Sequence, residues 1–403
     1  MHLEEYQLLG GQHTDTAALK NVLANQGVTA PHTGAPYSEA MLLGVGGGLG
    51  MGYILWEFAE HNQRTLTMGM RKNWQYPVRF MDDLASRLGL ALAIQETGGA
   101  NRARAQLDAA LANGQPAVLW VDRATLPYMY MPDHQCGWFG FVVAVYGIDA
   151  QTDTVNLDDR ALMPVSVDTA TLAAARARIP SYKHRMLTVN GAGEVDLPRA
   201  VRAGLVDCAE HLHAPSQSFS LPAIRKWAKS MTDGKNAKGW PVVFADRHGL
   251  YGTLRALYES VVAGGPGGGS LRDLYAEFLQ EAAPLVQLPG LLDVAKEYKW
   301  LGIRWSNLGE LALPTHVPPL ARTKDLLVRQ SALFAGLGDL AAADLQLIGM
   351  ELAELSTQFA TEFPLDDGEI DRLFQQLQAE LYQLYDAEVA ANRALRTVLG
   401  LDT

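Results

Sequence analysis

A short stretch near the N-terminus, GGQHTDTAALKNVL at residues 10–23, carries residue types that could perform covalent chemistry. A glycine turn leads into a predicted helix, which Thr14 or Asp15 would cap and whose apolar face is made of alanine, leucine and valine. Enzymes place a cysteine nucleophile at such a helix start beside a histidine, because free N–H groups and the helix dipole stabilise a thiolate. Here His13 is followed by Thr14, so the stretch is either an altered nucleophile site or only a capped helix.

A second candidate lies in PDHQCGWFG, just before an apolar strand, where His134 and Cys136 stand two residues apart. These side chains could form a displaced dyad if their loop folds over the helix that begins near Thr14. The alternative is that Cys136, close to Trp138, is a small packed hydrophobic residue.

The histidines and cysteines lack the spacing of metal ligands. Neither an i, i+4 helical pair nor a C-x-x-C motif occurs among the candidates, which are His13, His32, His134, Cys136, His211 and His213. We therefore predict no metal site and no cofactor.

Two glycine runs and one basic spot could bind anions. GVGGGLGMG, at residues 44–52, does not match G-x-G-x-x-G in any frame and predicts close backbone packing. In GGPGGGSLRDLYAEFL, at residues 264–279, Ser270 would cap a helix, and Arg272 in its first turn requires an acidic partner or a bound ligand. That run could equally be an interdomain turn. Lys183 lies in YKHRM, the one compact basic spot.

The composition of the chain limits the number of domains, the partners and the location that are consistent with these residues. The chain has 403 residues, 48% of them hydrophobic and 19% charged, enough for two or three domains. A net charge of −11 argues against nucleic acid and anionic membranes as partners. Two cysteines, and an N-terminus without the pattern of a signal peptide, indicate the reducing cytoplasm. The longest uncharged run, residues 40–56, is short and glycine-rich for a membrane span.

The elements that must position the candidates are predicted to be of two kinds. Residues 116–122, 141–149 and 153–159 read as strands, and residues 82–88 and 101–111 have helical spacing. From about residue 166 the pattern is helical, with breaks at AGLGDL and EFPLDDGE. The chain is therefore predicted to be α+β, with a mixed domain at 1–165 followed by an all-helical domain at 166–403.

A series of motifs resembles a known family. In order, GGQHTDTAALKNVL, YSEAMLLGVGGGLGMGY, VDRATLPY, FVVAVYGID and LDDRA are similar to the N-terminal domain of butirosin biosynthesis protein H. IPSYKHRM, LPAIRKWAKSM, KGWPVVF and the glycine run near residue 266 resemble the helical domain of unknown function that often follows it. The motifs in this order are specific, although no single one is.

The resemblance implies a papain-like fold for the first domain and an acyltransferase activity. The founding member moves an aminoacyl group from the thioester of an acyl carrier protein to an amine of an aminoglycoside. The family pattern implies a cysteine, a histidine and an acid. The cysteine position holds Thr14, the histidine position holds Phe141, and the acid survives as Asp158 or Asp159.

The resemblance also brings Glu39 into the candidate site, because it matches the family's Ser-Glu pair. Glu39 could orient a substrate amine or stabilise the turn that follows Ser38. The remaining predicted catalytic residues are Thr14, His13, Asp158, Asp159 and His134. Predicted substrate contacts are Phe141, Cys136, Arg272 and Lys183, the last toward a phosphopantetheine arm or an acidic carrier protein.

Three functions stay open for such a chain. The first is amide formation between a carrier-protein thioester and a small amine without a covalent cysteine, relying on proximity and one proton acceptor. The second is a catalytically degenerate protein that binds a ligand or a partner subunit in the former cleft. The third is new chemistry, such as cyclisation or hydrolysis of a tethered substrate. Assembly of several copies of the chain is also left open.

Overall fold

The computed structural model describes residues 2–58, 63–131, 135–138, 140–262 and 269–401. Its contacts divide the chain into two compact units. The sheet unit comprises Met1–Glu39, Leu88–Val195 and Val328–Ala353, and the helical unit comprises Ala40–Arg87, Asp196–Leu327 and Glu354–Thr403.

Helices make up most of the described chain. They are α1 Thr14–Asn25, α2 Glu39–Val45, α3 Pro77–Leu88, α4 Ala100–Ala112, α5 Thr169–Ala177, α6 Leu197–His213, α7 Pro222–Ser230, α8 Trp240–Val243, α9 Leu250–Val261, α10 Arg272–Leu285, α11 Leu291–Ala312, α12 Pro318–Leu337, α13 Ala342–Thr361 and α14 Asp367–Leu399. The last begins with a capping box, in which Asp366 and Glu369 satisfy each other's backbone N–H groups.

Eight strands form two antiparallel sheets. They are β1 Leu49–Phe58, β2 Gln63–Arg71, β3 Leu90–Gln95, β4 Ala117–Asp122, β5 Gly140–Asp149, β6 Thr154–Asp158, β7 Val165–Asp168 and β8 Met186–Ala192. β1 and β2 pair in the helical unit. The six-stranded sheet of the sheet unit has the order β3-β8-β4-β5-β6-β7.

The six-stranded sheet packs helices on both faces. Residues of β4, β5 and β6 on one face form an apolar core with Leu107 and Leu111 of α4 and Leu172 and Ala175 of α5. Helix α1 packs against β5 and β4. Because both faces are covered, β4 and β5 read as nearly continuous apolar runs, which made them the strands easiest to predict.

The chain is an α+β protein with an N-terminal sheet-containing region followed by a helical region, as predicted. The boundary proposed at residue 165 does not coincide with a division between the two units, because the sheet continues through β7 and β8. The two breaks predicted in the C-terminal stretch separate α12, α13 and α14. The sequence reading missed β1, β2, β3, β7 and β8.

The first glycine run packs closely, as predicted. A Cβ atom on Gly44 would lie 2.2 Å from the Phe278 ring, and one on Gly46 would lie 2.2 Å from the Phe80 ring. Gly204 of α6 faces the same run, since a Cβ atom there would lie 2.3 Å from the carbonyl oxygen of Gly44. The segment is therefore a packing element of the helical unit.

Gly204→Ala is expected to lower the free energy of unfolding by about 1–3 kcal/mol, because α6 must move away from the backbone of Gly44. Gly252→Ala in α9 is the matched control: its Cβ atom would lie 3.7 Å from the nearest atom, the carbonyl oxygen of Arg64. That variant should gain about 0.5–1 kcal/mol from reduced chain entropy. Urea titration of both variants checks the prediction, and equal effects would contradict it.

One stretch of the described chain, Pro318–Thr361, is long and apolar enough to cross a membrane by length and composition, because it contains an 18-residue window with a mean hydropathy of 1.3. A single such stretch is weak evidence, since buried helices meet the same criterion. The stretch is interrupted by a 3₁₀ turn at Gly338–Ala341, and each of its two helices carries charged residues. That the protein has no membrane partner stays a prediction.

Candidate functional site

The loop before α1 is held by one buried carboxylate, that of Glu39. Its Oε1 atom accepts hydrogen bonds from the backbone N–H of His13 at 2.6 Å and from the hydroxyl of Thr16 at 2.9 Å. Its Oε2 atom accepts from the backbone N–H of Gln12 at 2.9 Å. Glu39 thus places a negative charge at the positive end of the α1 dipole. In the structure Glu39 fixes the start of α1, a role that differs from both roles considered for it.

The start of α1 differs from the predicted cap. His13 is the N-cap residue and makes no side-chain cap hydrogen bond, so the prediction that Thr14 or Asp15 caps the helix is wrong. The His13 ring places Nδ1 3.2 Å from Oγ1 of Thr16 and Nε2 4.0 Å from Oδ2 of Asp15. Thr16 and Asp15 are therefore two of the neighbours of this ring. Thr14 is 4% exposed, and a threonine hydroxyl needs a base in contact to act as a nucleophile.

Two arginines hold the carboxylate of Asp159. Nε of Arg160 lies 3.1 Å from Oδ1, and Nη2 of Arg123 lies 3.7 Å from Oδ2. The hydroxyl of Tyr128 donates to Oδ2 at 3.3 Å. The guanidinium of Arg123 also stacks over the Phe141 ring, 4.9 Å from its centre. Asp159 is therefore held by two buried cations and one hydroxyl.

The alternation of side chains along β5 assigns Phe141 and Asp158 to different faces of the sheet. Ala144 pairs directly with Asp158, and Phe141 lies three positions before Ala144 in an unbroken register with β4. Residues an odd number apart in a strand point to opposite faces. Phe141 therefore shares its face with Asp159 and Arg123, the group described above.

Asp158 instead faces α1. Its Oδ2 atom accepts from the hydroxyl of Tyr6 at 2.8 Å and from the Asn21 amide at 2.9 Å, while Oδ1 has no hydrogen-bond partner among the described residues. Burial raises the pKa of Asp158 to about 6, and the hydrogen bonds from Tyr6, Asn21 and the Arg160 backbone offset only part of that effect. Asn21 is two helical turns beyond Thr14, a rise of about 10 Å. Asp158 is thus not adjacent to the hydroxyl of Thr14.

The other predicted contacts are scattered. Cys136 is partly buried, and its Sγ atom lies 3.7 Å from the carbonyl oxygen of Ala124. His134 lies outside the described residues, so the displaced dyad stays a prediction. Lys183 is exposed, and its backbone has a left-handed conformation. The neighbouring Arg185 is paired with Glu96.

Arg272 has the acidic partner that its position at a helix start requires. Its Nε atom lies 2.7 Å from Oε1 of Glu388, and both side chains are fully buried. This pair removes the reason to assign Arg272 to a substrate. Within the described part of the chain, no group of three or more His, Cys, Asp and Glu side chains could hold a metal ion.

The sequence-based predictions did not include Arg123 and Arg160, whose guanidinium groups compensate the charge of Asp159. A signal for both was present, because each arginine directly follows an acidic residue at the end of a strand, in VDR and in DDR. Arg160 also links the two halves of the candidate site, since its Nη1 atom donates to the carbonyl oxygen of Gln12 at 3.4 Å.

Fold and site together define an α+β protein with a helical region, whose candidate residues include the buried acids Asp158 and Asp159, the buried Thr14 and the Phe141 ring. Residues 13–160 match the family described as butirosin biosynthesis protein H, N-terminal, and residues 170–317 match the domain of unknown function DUF4872.

The chain belongs to this two-domain family related to butirosin biosynthesis protein H. Membership suggests a biosynthetic, acyltransferase-like role. A search of curated proteins finds no match.

Proposed function

We propose that the protein is an acyltransferase-like enzyme of specialised-metabolite biosynthesis. It joins an acyl group, carried as a thioester on an acyl carrier protein, to a small amine, and it does so without a covalent enzyme intermediate. Family membership supports the reaction class. Thr14 is buried, and its hydroxyl has no side-chain hydrogen bond among the described residues, which supports the non-covalent route.

The observation that carries this proposal is the state of Asp158. An amine attacks a thioester carbonyl only as the free base. As the C–N bond forms and the C–S bond breaks, the nitrogen loses one proton and the carrier leaves as its thiol, which takes up one proton. Asp158 has a pKa of about 6 and one carboxylate oxygen without a partner among the described residues, so it can accept a proton near neutral pH. Glu39 and Asp159 are both occupied by donors and cations.

Proximity supplies the rest of the acceleration in this proposal. Holding thioester and amine together can lower a barrier by about 7–11 kcal/mol in the most favourable intramolecular cases. The proposal places the protein in the reducing cytoplasm, because two cysteines are few for a chain of 403 residues. A covalent acyl-cysteine is not part of the scheme, because the family position of that cysteine is Thr14.

Mass spectrometry of the protein mixed with an acyl-loaded carrier protein and a panel of amines tests the proposal. We expect amide product, loss of the carrier thioester and no added mass on the protein. Asp158→Asn should lower the rate about 100-fold, the scale of one lost general base. Asp149→Asn, at the exposed end of β5, is the matched control and should keep the rate. Free acid as the only product, or an acyl adduct on the protein, would contradict the proposal.

A second candidate function is a catalytically degenerate family member that binds a ligand or partner subunit. The observation that favours it is the Arg123 guanidinium, which stacks on Phe141 and reaches Asp159. That arrangement packs a cation against Phe141 and Asp159, the positions at which the family pattern implies a histidine and an acid. Under this alternative the mass-spectrometry experiment shows no thioester loss, although the carrier protein or the amine still binds.

A further inference from the structure

A surface cavity of about 530 Å³ lies on α6, entirely within the helical unit. Arg87, Arg199 and Arg202 line this cavity together with two acidic residues, Asp207 and Glu210. We call it the arginine cavity. The excess of arginines over acids in its lining contrasts with the net charge of −11 of the whole chain.

Both acids of the arginine cavity are already compensated. The Asp207 carboxylate forms an ion pair with Lys72 and accepts a hydrogen bond from Nη2 of Arg87 at 2.8 Å. Burial alone would raise the pKa of Asp207, but these two cations lower it below its usual value. Glu210 accepts from Nη1 of Arg396 at 2.7 Å. Asp207 is therefore paired with Lys72 and Arg87, and Glu210 is paired with Arg396.

Arg199 and Arg202 are the two arginines of the cavity that are not paired with these acids. Both side chains are exposed, and neither has an ion-pair or hydrogen-bond partner among the residues that the structure describes. They lie in the first two turns of α6, where the helix dipole disfavours cations. The Asp196 carboxylate caps this helix by accepting from the backbone N–H of Arg199 at 3.1 Å, but it forms no ion pair with either guanidinium among the described residues. The two guanidinium groups therefore leave positive charge at the cavity that a bound anion would offset.

We propose that the arginine cavity binds the phosphate of the phosphopantetheine arm that carries the acyl thioester. This inference rests on the proposed function, for which it names the docking site of the carrier. Guanidinium groups bind phosphate oxygens through paired, charge-assisted hydrogen bonds. Ala203 and Val206 line the same cavity and offer apolar contact to the rest of the arm.

Binding of three probes to the whole protein tests this inference by calorimetry: 4′-phosphopantetheine, pantetheine without its phosphate, and inorganic phosphate. We expect 4′-phosphopantetheine to bind more tightly than either other probe, with an affinity that falls as salt rises. The double variant Arg199→Ala/Arg202→Ala should weaken this binding about tenfold or more, the scale of lost charge-assisted hydrogen bonds. Arg199→Lys/Arg202→Lys should lose less, because charge remains.

Arg102→Ala is the matched control, since Arg102 is an exposed arginine in the first turn of α4, outside the cavity. It should bind 4′-phosphopantetheine as the unmodified protein does. The inference is overturned if the double variant binds unchanged, if pantetheine binds equally well, or if inorganic phosphate binds as tightly as 4′-phosphopantetheine.

The same variants separate this inference from the proposed function. Arginine-dependent binding of the acyl-loaded carrier protein without any amide product would overturn the proposed function and support the docking site. Amide formation at an unchanged rate and carrier affinity in Arg199→Ala/Arg202→Ala would overturn the docking site and support the proposed function.

Discussion

Glu388→Leu is expected to lower the free energy of unfolding by about 3–5 kcal/mol, because it leaves the Arg272 guanidinium buried without a counter-charge. In the unmodified protein, Oε1 of Glu388 accepts from Nε of Arg272 and from the Trp305 indole N–H, each at 2.7 Å. Both members of the ion pair are fully buried. Chemical denaturation monitored by tryptophan fluorescence measures the loss.

Two further variants make the result specific to the buried pair. Arg272→Met/Glu388→Leu replaces both charges by apolar side chains of similar size and should recover most of the lost stability. Arg329→Met breaks the exposed pair with Asp344 and should have little effect. If Glu388→Leu proved no more destabilising than Arg329→Met, the central role of this pair would be refuted.

Asp158→Asn is expected to change how stability depends on pH. The pKa of Asp158 is about 6 in the folded protein and about 3.9 in an unfolded chain. Between these values the folded state binds more protons, so the contribution of Asp158 to stability is present below pH 4 and is lost as pH rises through 6. Relative to the unmodified protein, Asp158→Asn should gain about 3 kcal/mol between pH 4 and pH 7.5.

Denaturation at several pH values measures that difference, and Tyr6→Phe provides the matched variant. Phenylalanine keeps the stacking on Tyr146 but removes the hydroxyl that donates to Asp158 at 2.8 Å. Since that hydrogen bond lowers the pKa of Asp158, Tyr6→Phe should move the pH-dependent loss of stability to higher pH. A stability difference between Asp158→Asn and the unmodified protein that is constant over this range would argue against an elevated pKa.

The helices and the central strands of this fold could be read from the sequence because local patterns encode them. The three C-terminal helices follow from apolar periodicity and from breaks at glycine and proline. By contrast, β8 lies beyond the predicted domain boundary and pairs between β3 and β4. The pairing of β1 with β2 places glycines against the Trp74 ring, and glycine-rich segments carry little strand signal.

The candidate site was only partly predictable. The sequence identified Thr14, Glu39, Asp158 and Asp159 as neighbours of a possible site, but it did not predict that Glu39 fixes the start of α1. It could not show that Asp158 and Asp159, adjacent in the chain, belong to different environments. That separation follows from strand alternation and from the contact with Arg123, which is distant in sequence, and it gives one acid a raised pKa while the other is held by cations.

The interleaved course of the chain has a consequence for its biosynthesis. The polypeptide returns to the sheet unit with Val328–Ala353 after most of the helical unit has been made, and the helical unit receives α14 last. Neither unit therefore has all of its residues until the ribosome is close to the final helix. Nascent chains must keep apolar surface covered during this delay, which makes early engagement by a chaperone an expected feature of the protein's maturation.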